Sequence, residues 1–296
     1  MGSLASHIIG YIGPINEEEL ARNPDYAMTD YIGKTGIELM FERVLRGTNG
    51  RKQTDMSVDG TLTAEYITEE AIGGHDVVLT ISANLQRATE ISLRENIERI
   101  TAGGFGRAFD ATAGVAVVVD VRTGEVLAMA SYPDFKPELF IDGISLEMWN
   151  EYNDPTRKHL INRTIQSGYA PGSVYKMIPA LAALETGHVT RYERFFCGGV
   201  FARGHNPRCW VYPRGHGWVN VEQAIKYSCN IFFYEVGLRM GIDIIEDHTR
   251  YFGLDRRTNL ELHGEVTGTL AGRTLYDRLG LTWFYGNTLS AVIRAS

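Results

Sequence analysis

The sequence predicts an α+β protein in which an antiparallel hairpin accompanies several helices. Residues 114–120 and 125–131 are rich in β-branched and apolar side chains and are joined by a short turn that contains glycine, which is the pattern of a hairpin. Residues 84–100, 173–185 and 231–240 carry apolar side chains at helical spacing. The chain has no internal repeat and no low-complexity tract, so the elements belong to ordinary globular domains.

The other predicted elements are shorter. Residues 77–81 form a β-branched run that predicts a strand, and Ser82 is placed to cap the helix that follows. Residues 36–46 are amphipathic and predict one helix in the N-terminal region. Residues 221–227 are also predicted to be helical, and a break at residues 228–230 separates them from the next helix.

Composition limits both the number of domains and the class of ligand. The chain has 296 residues, of which 44% are hydrophobic and 22% charged, and this length allows one large and one smaller domain. We expect residues 1–75 to form the smaller domain and residues 76–296 the larger. The formal net charge of −7 argues against nucleic-acid binding and favours a small-molecule or polymer substrate. No apolar run is long enough to span a bilayer, and residues 1–12 do not resemble a signal peptide.

Ser173 and Lys176 are the first candidate catalytic pair. Ser173 is the only serine with a lysine three residues later, and it follows Pro171 and Gly172 at the predicted start of a helix. Residues i and i+3 share a helix face, so the Lys176 amine is expected to reach the Ser173 hydroxyl. A partly desolvated amine near the positive end of a helix favours its neutral form and can remove the serine proton. The alternative is a capping serine beside a surface lysine.

Ser228 and Asn230 form the second candidate element, 55 residues after Ser173 and in a break between two helices. The Ser228 hydroxyl can relay a proton between the lysine and a leaving amine, and the Asn230 amide can hold a substrate carbonyl. The alternative is a helix-terminating turn, which serine and asparagine also favour. A second Ser-x-Asn pattern at residues 82–84 follows a predicted strand and is assigned to helix capping.

A Lys-Thr-Gly triplet, Lys34-Thr35-Gly36, also occurs but is not assigned to the catalytic cleft. It precedes Ser173, whereas an active-site strand of this type would follow the two other elements. Its position before an amphipathic segment is that of a loop that enters a helix.

Cys197, His205, Cys209 and His216 lie close together in sequence and could bind zinc, although their spacing matches no standard pattern. Structural loop cysteines, or a Cys197 to Cys209 disulfide in an exported domain, are favoured over zinc. We therefore predict neither a metal nor a cofactor. Cys229 is the third cysteine of the chain.

Taken together, these residues resemble the class B penicillin-binding proteins, in particular those of the elongation and sporulation type. The resemblance covers nearly the whole chain. Its most specific parts are residues 30–38, 45–50, 77–87, 120–130, 169–176 and 227–234. It implies a penicillin-binding transpeptidase domain of the serine beta-lactamase-like fold, an α/β sandwich with a mostly antiparallel sheet. Residues 1–75 would be part of a non-catalytic pedestal domain of the dimerisation type.

The activity that the resemblance implies is that of a peptidoglycan D,D-transpeptidase. Such an enzyme attacks the D-alanyl-D-alanine end of a stem peptide, releases D-alanine and passes the acyl group to a neighbouring amine, and beta-lactams mimic the donor. Ser173 would be the nucleophile, Lys176 its base, Ser228 a proton relay and Asn230 a substrate-binding residue. The implied partners are stem peptides, beta-lactam antibiotics and cell-wall assembly proteins such as glycosyltransferases. The implied location is the outer face of the bacterial cell membrane.

The resemblance also predicts that the chain is truncated at both ends. The family begins with a membrane-spanning helix, and it continues past residues 289–291 into a strand with its own Lys-Thr-Gly. We therefore expect this chain by itself to be an impaired catalyst. Two alternatives stay open, a serine beta-lactamase or beta-lactam sensor, which shares the Ser-x-x-Lys pattern, and a non-catalytic scaffold for cell-wall assembly.

Overall fold

The structure is a computed structural model, and it describes residues 2–141, 143–203, 206–270 and 272–280. The described residues include neither His205 nor residues 289–296, where the sequence was compared with the penicillin-binding protein family. The chain divides into two compact units: unit 1 comprises residues 1–167 and 260–265, and unit 2 comprises residues 168–259 and 266–296. None of the helices in the described ranges is both long and apolar enough to cross a bilayer.

Unit 1 contains three antiparallel strand pairs and several helices. Its helices are α1 (Ser6–Ile9), α2 (Glu17–Arg22), α3 (Gly36–Met40), α4 (Glu42–Leu45), α5 (Ala83–Thr101), α6 (Leu146–Tyr152) and α7 (Arg163–Gln166), with a 3-10 helix at Pro137–Phe140. Its strands are β1 (Ile12–Pro14) paired with β2 (Tyr31–Gly33), β3 (Arg51–Met56) with β4 (Leu62–Glu69), and β5 (Gly114–Val119) with β6 (Val126–Tyr132). The predicted α+β class and the predicted 114–131 hairpin are confirmed.

Helix α5 is joined to strand β6 by a buried side-chain amide. Gln86 Nε2 donates to Met129 O at 2.8 Å, and Met129 N donates to Gln86 Oε1 at 2.7 Å. The Gln86 amide thus pairs with the Met129 backbone as a neighbouring strand would, and both polar groups are satisfied although Gln86 is fully buried. This pairing positions the longest helix of unit 1 on the hairpin.

In the N-terminal half, one predicted strand is absent and one hairpin that the sequence analysis did not predict is present. Residues 77–81 are not a strand. Near this segment, Ser82 N donates to Leu127 O and Thr80 Oγ1 donates to Val126 O, both in β6, and Val78 is almost fully exposed. The β3–β4 hairpin was missed. Its sequence signal is the Asp59-Gly60 pair in the turn, where Gly60 has a φ of +82°.

The amphipathic segment at residues 36–46 forms two short helices instead of one. Phe41, with φ −110° and ψ 20°, interrupts the helix between α3 and α4. Lys34, in the loop before α3, forms an ion pair with Glu19 at 2.5 Å. Gly36 has a φ of +62°, and a Cβ there would lie 2.4 Å from the Ile8 carbonyl oxygen, so the glycine of this triplet serves close backbone packing.

Unit 2 is built around an apolar core of three helices. It contains a 3-10 helix at Gly172–Lys176, helices α8 (Met177–Glu185), α9 (Val221–Lys226), α10 (Asn230–Met240), α11 (Ile242–Tyr251) and α12 (Arg273–Arg278), and strands β7 (Phe195–Cys197) and β8 (Gly217–Val219), which pair antiparallel. The alanines Ala180, Ala182 and Ala183 of α8 are buried against α10, where Phe232 and Phe233 are almost fully buried. Small side chains on one helix thus pack against large rings on the other, as close packing of a core requires.

The helix predicted at residues 173–185 begins differently from expectation. Residues 172–176 form a 3-10 helix, and the α-helix starts only at Met177. Tyr175 fixes the 3-10 segment, because its hydroxyl hydrogen bonds to Thr249 Oγ1 of α11 at 2.7 Å. Gly172, with a φ of +59°, allows the chain to turn into this segment after Pro171.

The buried His7 of unit 1 predicts a pH-dependent loss of stability. Burial lowers the pKa of His7 to about 4, and its Nε2–H donates to His159 O at 2.7 Å. Between about pH 6.5 and 4, His7 is protonated in the unfolded state but stays neutral in the folded state. We therefore expect the free energy of unfolding to fall by up to about 3 kcal/mol as the pH falls through this range. Chemical unfolding of His7→Gln and wild type at several pH values measures this. His7→Gln should lose part of the pH dependence and His75→Gln, at an exposed position, should keep it; equal curves for wild type and His7→Gln would contradict the assignment.

Candidate active site

The four residues predicted to carry the chemistry lie together in unit 2. Lys176 Nζ donates to Ser228 O at 3.0 Å, to Ser228 Oγ at 3.0 Å and to Asn230 Oδ1 at 2.5 Å. Ser228 Oγ lies 2.9 Å from Ser173 Oγ. Among the described residues, hydrogen bonds therefore connect Lys176 to Ser173 through Ser228. A direct contact between the amine and Ser173 was expected instead. The amine lies over Phe233, 5.7 Å from the ring centroid, and is directed toward acceptors on the break between α9 and α10.

Ser228 occupies a backbone position that normally belongs to glycine. Its N–H donates to Ile225 O, and the Cys229 N–H donates to Ala224 O, which is the hydrogen-bond pattern of a Schellman motif at the end of α9. Ser228 is the residue after the helix cap and has a φ of +51°. A left-handed serine costs on the order of 1 kcal/mol or more, and such strain is concentrated at functional sites. The motif directs the Ser228 hydroxyl between Lys176 and Ser173.

Lys176 is buried and has no carboxylate partner within the described part of the chain. Only 3% of its surface is exposed, and its three hydrogen-bond acceptors are neutral oxygens of Ser228 and Asn230. Burial lowers the pKa of Lys176 below that of an ordinary lysine, while Cys209 and Cys229 act in the opposite direction. Ser173, in contrast, is exposed. The arrangement combines an accessible hydroxyl with a desolvated amine, as nucleophilic catalysis requires.

The Asn230 side chain is held in one orientation by its neighbours. Its Oδ1 accepts from Lys176, and its Nδ2 donates to Arg208 O at 3.5 Å. An amide NH2 group has two hydrogens, and the second has no acceptor among the residues that the structure describes, so it is available for a ligand carbonyl. The sequence could not show this orientation, because Arg208 is 22 residues away.

Comparison with known protein families decides the class of this site. The family described as "Penicillin binding protein transpeptidase domain" matches residues 114–292, and "Penicillin-binding Protein dimerisation domain" matches residues 1–79. The first match covers more than half of the chain. The chain belongs to the penicillin-binding protein transpeptidase family. The four gathered residues lie within the range that the transpeptidase family matches, and their catalytic roles remain a prediction.

Individual relatives agree with this family. The chain is 34% identical to the peptidoglycan D,D-transpeptidase MrdA of Escherichia coli strain K12 over 298 residues, which cover 97% of this chain and 44% of the relative. A solved structure on the coordination of polymerization and crosslinking by a peptidoglycan synthase complex matches with a TM-score of 0.83 and 33% identity, over 97% of this chain and 50% of the other. The complex of penicillin-binding protein PBP2 with MreC from Helicobacter pylori matches with a TM-score of 0.78 and 27% identity, over 99% of this chain and 52% of the other. The chain thus spans about half the length of these relatives.

This penicillin-binding transpeptidase chain also brings together a second group of reactive side chains. The ligand atoms of Cys197, Cys209, His216 and Cys229 all lie within 4.8 Å of one another, and all three thiols are free. His216 Nδ1 lies 3.6 Å from Cys197 Sγ and 3.5 Å from Cys209 Sγ. The hydrogen bond between Cys209 and Cys229 lowers the pKa of Cys209, and nearby His216 adds to this, which favours the thiolate that metals bind.

The cluster has the donor set of a structural zinc site, and its ligand atoms, within 4.8 Å of one another, would need to move together by about 1 Å to hold the ion. Three sulfurs and one imidazole nitrogen are common zinc ligands, and in a tetrahedral site they lie about 3.5–3.8 Å from one another. Sequence reasoning named Cys197, Cys209 and His216 but missed Cys229, which is hidden inside the Ser228 to Asn230 motif. Three of the four ligands are nearly or fully buried. Zinc held here would fix Cys229 between Ser228 and Asn230.

We expect the purified full-length protein to contain about one zinc ion per chain. Elemental analysis measures the content, and a chelator should lower the melting temperature. Cys209→Ser should lose the zinc, whereas His188→Gln, outside the cluster, should retain it. Zinc-free protein in which an alkylating reagent modifies Cys229 but neither Cys197 nor Cys209 in denaturant would instead indicate the Cys197 to Cys209 disulfide.

Proposed function

We propose that this chain is the part of a peptidoglycan D,D-transpeptidase that carries the nucleophile, with Ser173 forming the acyl-enzyme. One observation carries the proposal, the hydrogen-bonded series from Lys176 Nζ through Ser228 Oγ to Ser173 Oγ. The family and the relatives described above support it. The substrate would be the D-alanyl-D-alanine end of a stem peptide, and penicillin would acylate the same hydroxyl.

The proton route follows from the number of hydrogen bonds that Lys176 makes. A neutral amine has two N–H groups and one lone pair. It can donate to Ser228 O and Asn230 Oδ1 and still accept from the Ser228 hydroxyl. As Ser173 attacks the substrate carbonyl, its proton passes to Ser228 Oγ, and the Ser228 proton passes to Lys176. The lowered pKa of Lys176 favours the neutral amine that starts this transfer.

Return of the proton completes the acylation step. The protonated Lys176 donates back to Ser228, and the Ser228 proton moves to the nitrogen of the leaving D-alanine as the peptide bond breaks. The free N–H of Asn230 holds a backbone carbonyl of the donor, so the scissile bond stays aligned with Ser173. The second half-reaction passes the acyl group from Ser173 to an acceptor amine.

The domain organisation and the setting of the enzyme are part of the same proposal. Residues 1–75 would form part of a pedestal and residues 76–296 part of the transpeptidase domain, which the two family matches support. The Helicobacter pylori relative in complex with MreC and the structure of a peptidoglycan synthase complex support cell-wall assembly proteins as partners. We propose that these include a glycosyltransferase. The enzyme would then work at the outer face of the bacterial membrane. A non-catalytic scaffold would share these partners but would not be acylated.

Covalent labelling tests the central assignment. The full-length protein, treated with penicillin, should gain the mass of one drug molecule on a peptide that contains Ser173, because this hydroxyl is exposed and activated. Ser173→Ala should not be labelled. Lys176→Met retains the hydroxyl but removes the amine, so acylation should slow by about two to four orders of magnitude. Undiminished labelling of Ser173→Ala would refute the assignment, and rapid release of the drug would indicate a beta-lactamase.

Replacement of Ser228 should separate stability from activity. Ser228→Gly removes the relay hydroxyl but suits a φ of +51°, whereas Ser228→Ala removes the hydroxyl and keeps the strain. We expect both variants to be acylated far more slowly, and Ser228→Gly to be more stable than Ser228→Ala by about 1 kcal/mol. Penicillin acylation rates and chemical unfolding measure the two effects. Wild-type rates in both variants would exclude Ser228 from the proton route.

A further inference from the structure

The loop between β7 and β8, residues 198–216, has a charge that is opposite to that of the whole chain. It contains Arg203, Arg208 and Arg214 and no acidic residue, and the nearest acids in sequence are Glu193 and Glu222. The chain itself carries a formal net charge of −7. We call residues 198–216 the basic loop. A local positive charge in an acidic protein favours an anionic ligand.

One arginine of the basic loop is placed at the candidate active site. The backbone of Arg208 accepts the hydrogen bond from Asn230 Nδ2 at 3.5 Å, and its guanidinium lies over the Tyr212 ring, 4.4 Å from the centroid. In the described parts of the chain, no carboxylate forms an ion pair with Arg208, whereas Arg203 lies 3.8 Å from Glu235. Arg208 is exposed and held by the ring, so its charge is oriented but not neutralised.

The same part of the basic loop exposes large aromatic side chains. Trp210 is 67% exposed and Tyr212 is 46% exposed. The Trp210 indole N–H donates to Tyr227 O at 2.9 Å, so the ring is fixed beside the residue that precedes Ser228. Exposed aromatic rings that are held in place beside polar groups are typical of binding surfaces. Arg208 and Trp210 are thus hydrogen bonded to residues at the two ends of the segment 227–230.

We infer that Arg208, Trp210 and Tyr212 form a subsite that binds a carboxylate of the stem peptide, in the part remote from the D-alanyl-D-alanine end. The inference rests on the proposed function, because it assigns the substrate of the same site. The second Nδ2 hydrogen of Asn230, which has no acceptor among the described residues, would hold the donor backbone. Arg208, whose carbonyl accepts the first hydrogen, would receive the charge. The planar guanidinium suits a carboxylate with two parallel hydrogen bonds, and the rings cover the adjoining methylene groups.

Binding of peptides to an unreactive variant of the protein tests the subsite separately from catalysis. The full-length protein with Ser173→Ala is titrated with a stem pentapeptide and with an analogue whose carboxylates remote from the D-alanine end are amides. We expect the added Arg208→Gln change to weaken binding of the acidic peptide by about threefold to tenfold, the range of an exposed charge-assisted pair. The amidated peptide should bind both proteins equally. Arg208→Lys should be intermediate, because the charge remains and the planar fork is lost.

Arg214→Gln is the matched control, because it removes an exposed arginine from the same loop. A smaller effect than that of Arg208→Gln is expected. Any of four outcomes would overturn the subsite. Two concern Arg208→Gln: an unchanged affinity for the acidic peptide, or the same loss of affinity for both peptides. The others are an equal effect of Arg214→Gln and no binding of the acidic peptide to the Ser173→Ala protein. Penicillin labelling of the protein with Ser173 intact reports on the proposed function alone. Absent labelling together with a preserved preference for the acidic peptide would refute the transpeptidase and not the carboxylate subsite.

Discussion

The buried amine of Lys176 is the interaction on which the arrangement of unit 2 depends. It joins the 3-10 helix at Gly172–Lys176 to the break between α9 and α10 through three hydrogen bonds. An ammonium group in this position is removed from water, and its partners among the described residues are neutral oxygens, which is unfavourable for its charged form. A surface lysine with a carboxylate partner would hold the same segments at lower cost but would stay protonated. The site retains the costlier arrangement, which is the one that makes the amine a base.

Ser228 shows the same trade between stability and chemistry. The Schellman motif at the end of α9 would be most stable with glycine, yet the chain places a serine there with a φ of +51°. The motif turns the backbone so that one residue offers both its carbonyl and its hydroxyl to Lys176. Cys229 follows at once and is fully buried in the cysteine and histidine cluster. The strained residue is therefore anchored on both sides by structure that does not take part in the chemistry.

The sequence predicted which residues lie together at the candidate site better than it predicted the hydrogen bonds between them. Ser173, Lys176, Ser228 and Asn230 were named from short motifs, because the chemistry demands those residue types at those places. The predicted direct hydrogen bond between Lys176 and Ser173 is not among those of the described residues. The Lys176 amine is oriented instead by Ser228 and Asn230, which lie more than 50 residues away, and no local pattern encodes such distant partners. For the same reason the β-branched run at residues 77–81 predicted a strand, but the described residues include no strand that pairs with it. β-Branched residues favour strands because their side chains pack on a half-buried sheet. Val78 is exposed and has no such packing, so its propensity does not produce a strand here.

The basic loop links features that look separate in the sequence. Cys209 is held by the cysteine and histidine cluster, and its neighbours Arg208 and Trp210 reach Asn230 and Tyr227. Backbone bonds from Cys209 N to Gly199 O and from Tyr212 N to Cys209 O fold the loop around this residue. Any ion that the cluster holds would therefore restrain both the Ser228 to Asn230 segment and the exposed side chains beside it. A long loop with few apolar side chains in the core would otherwise lose its order easily. An ion held by the cluster would thus restrain the surface loop that carries Arg208 and contacts Asn230.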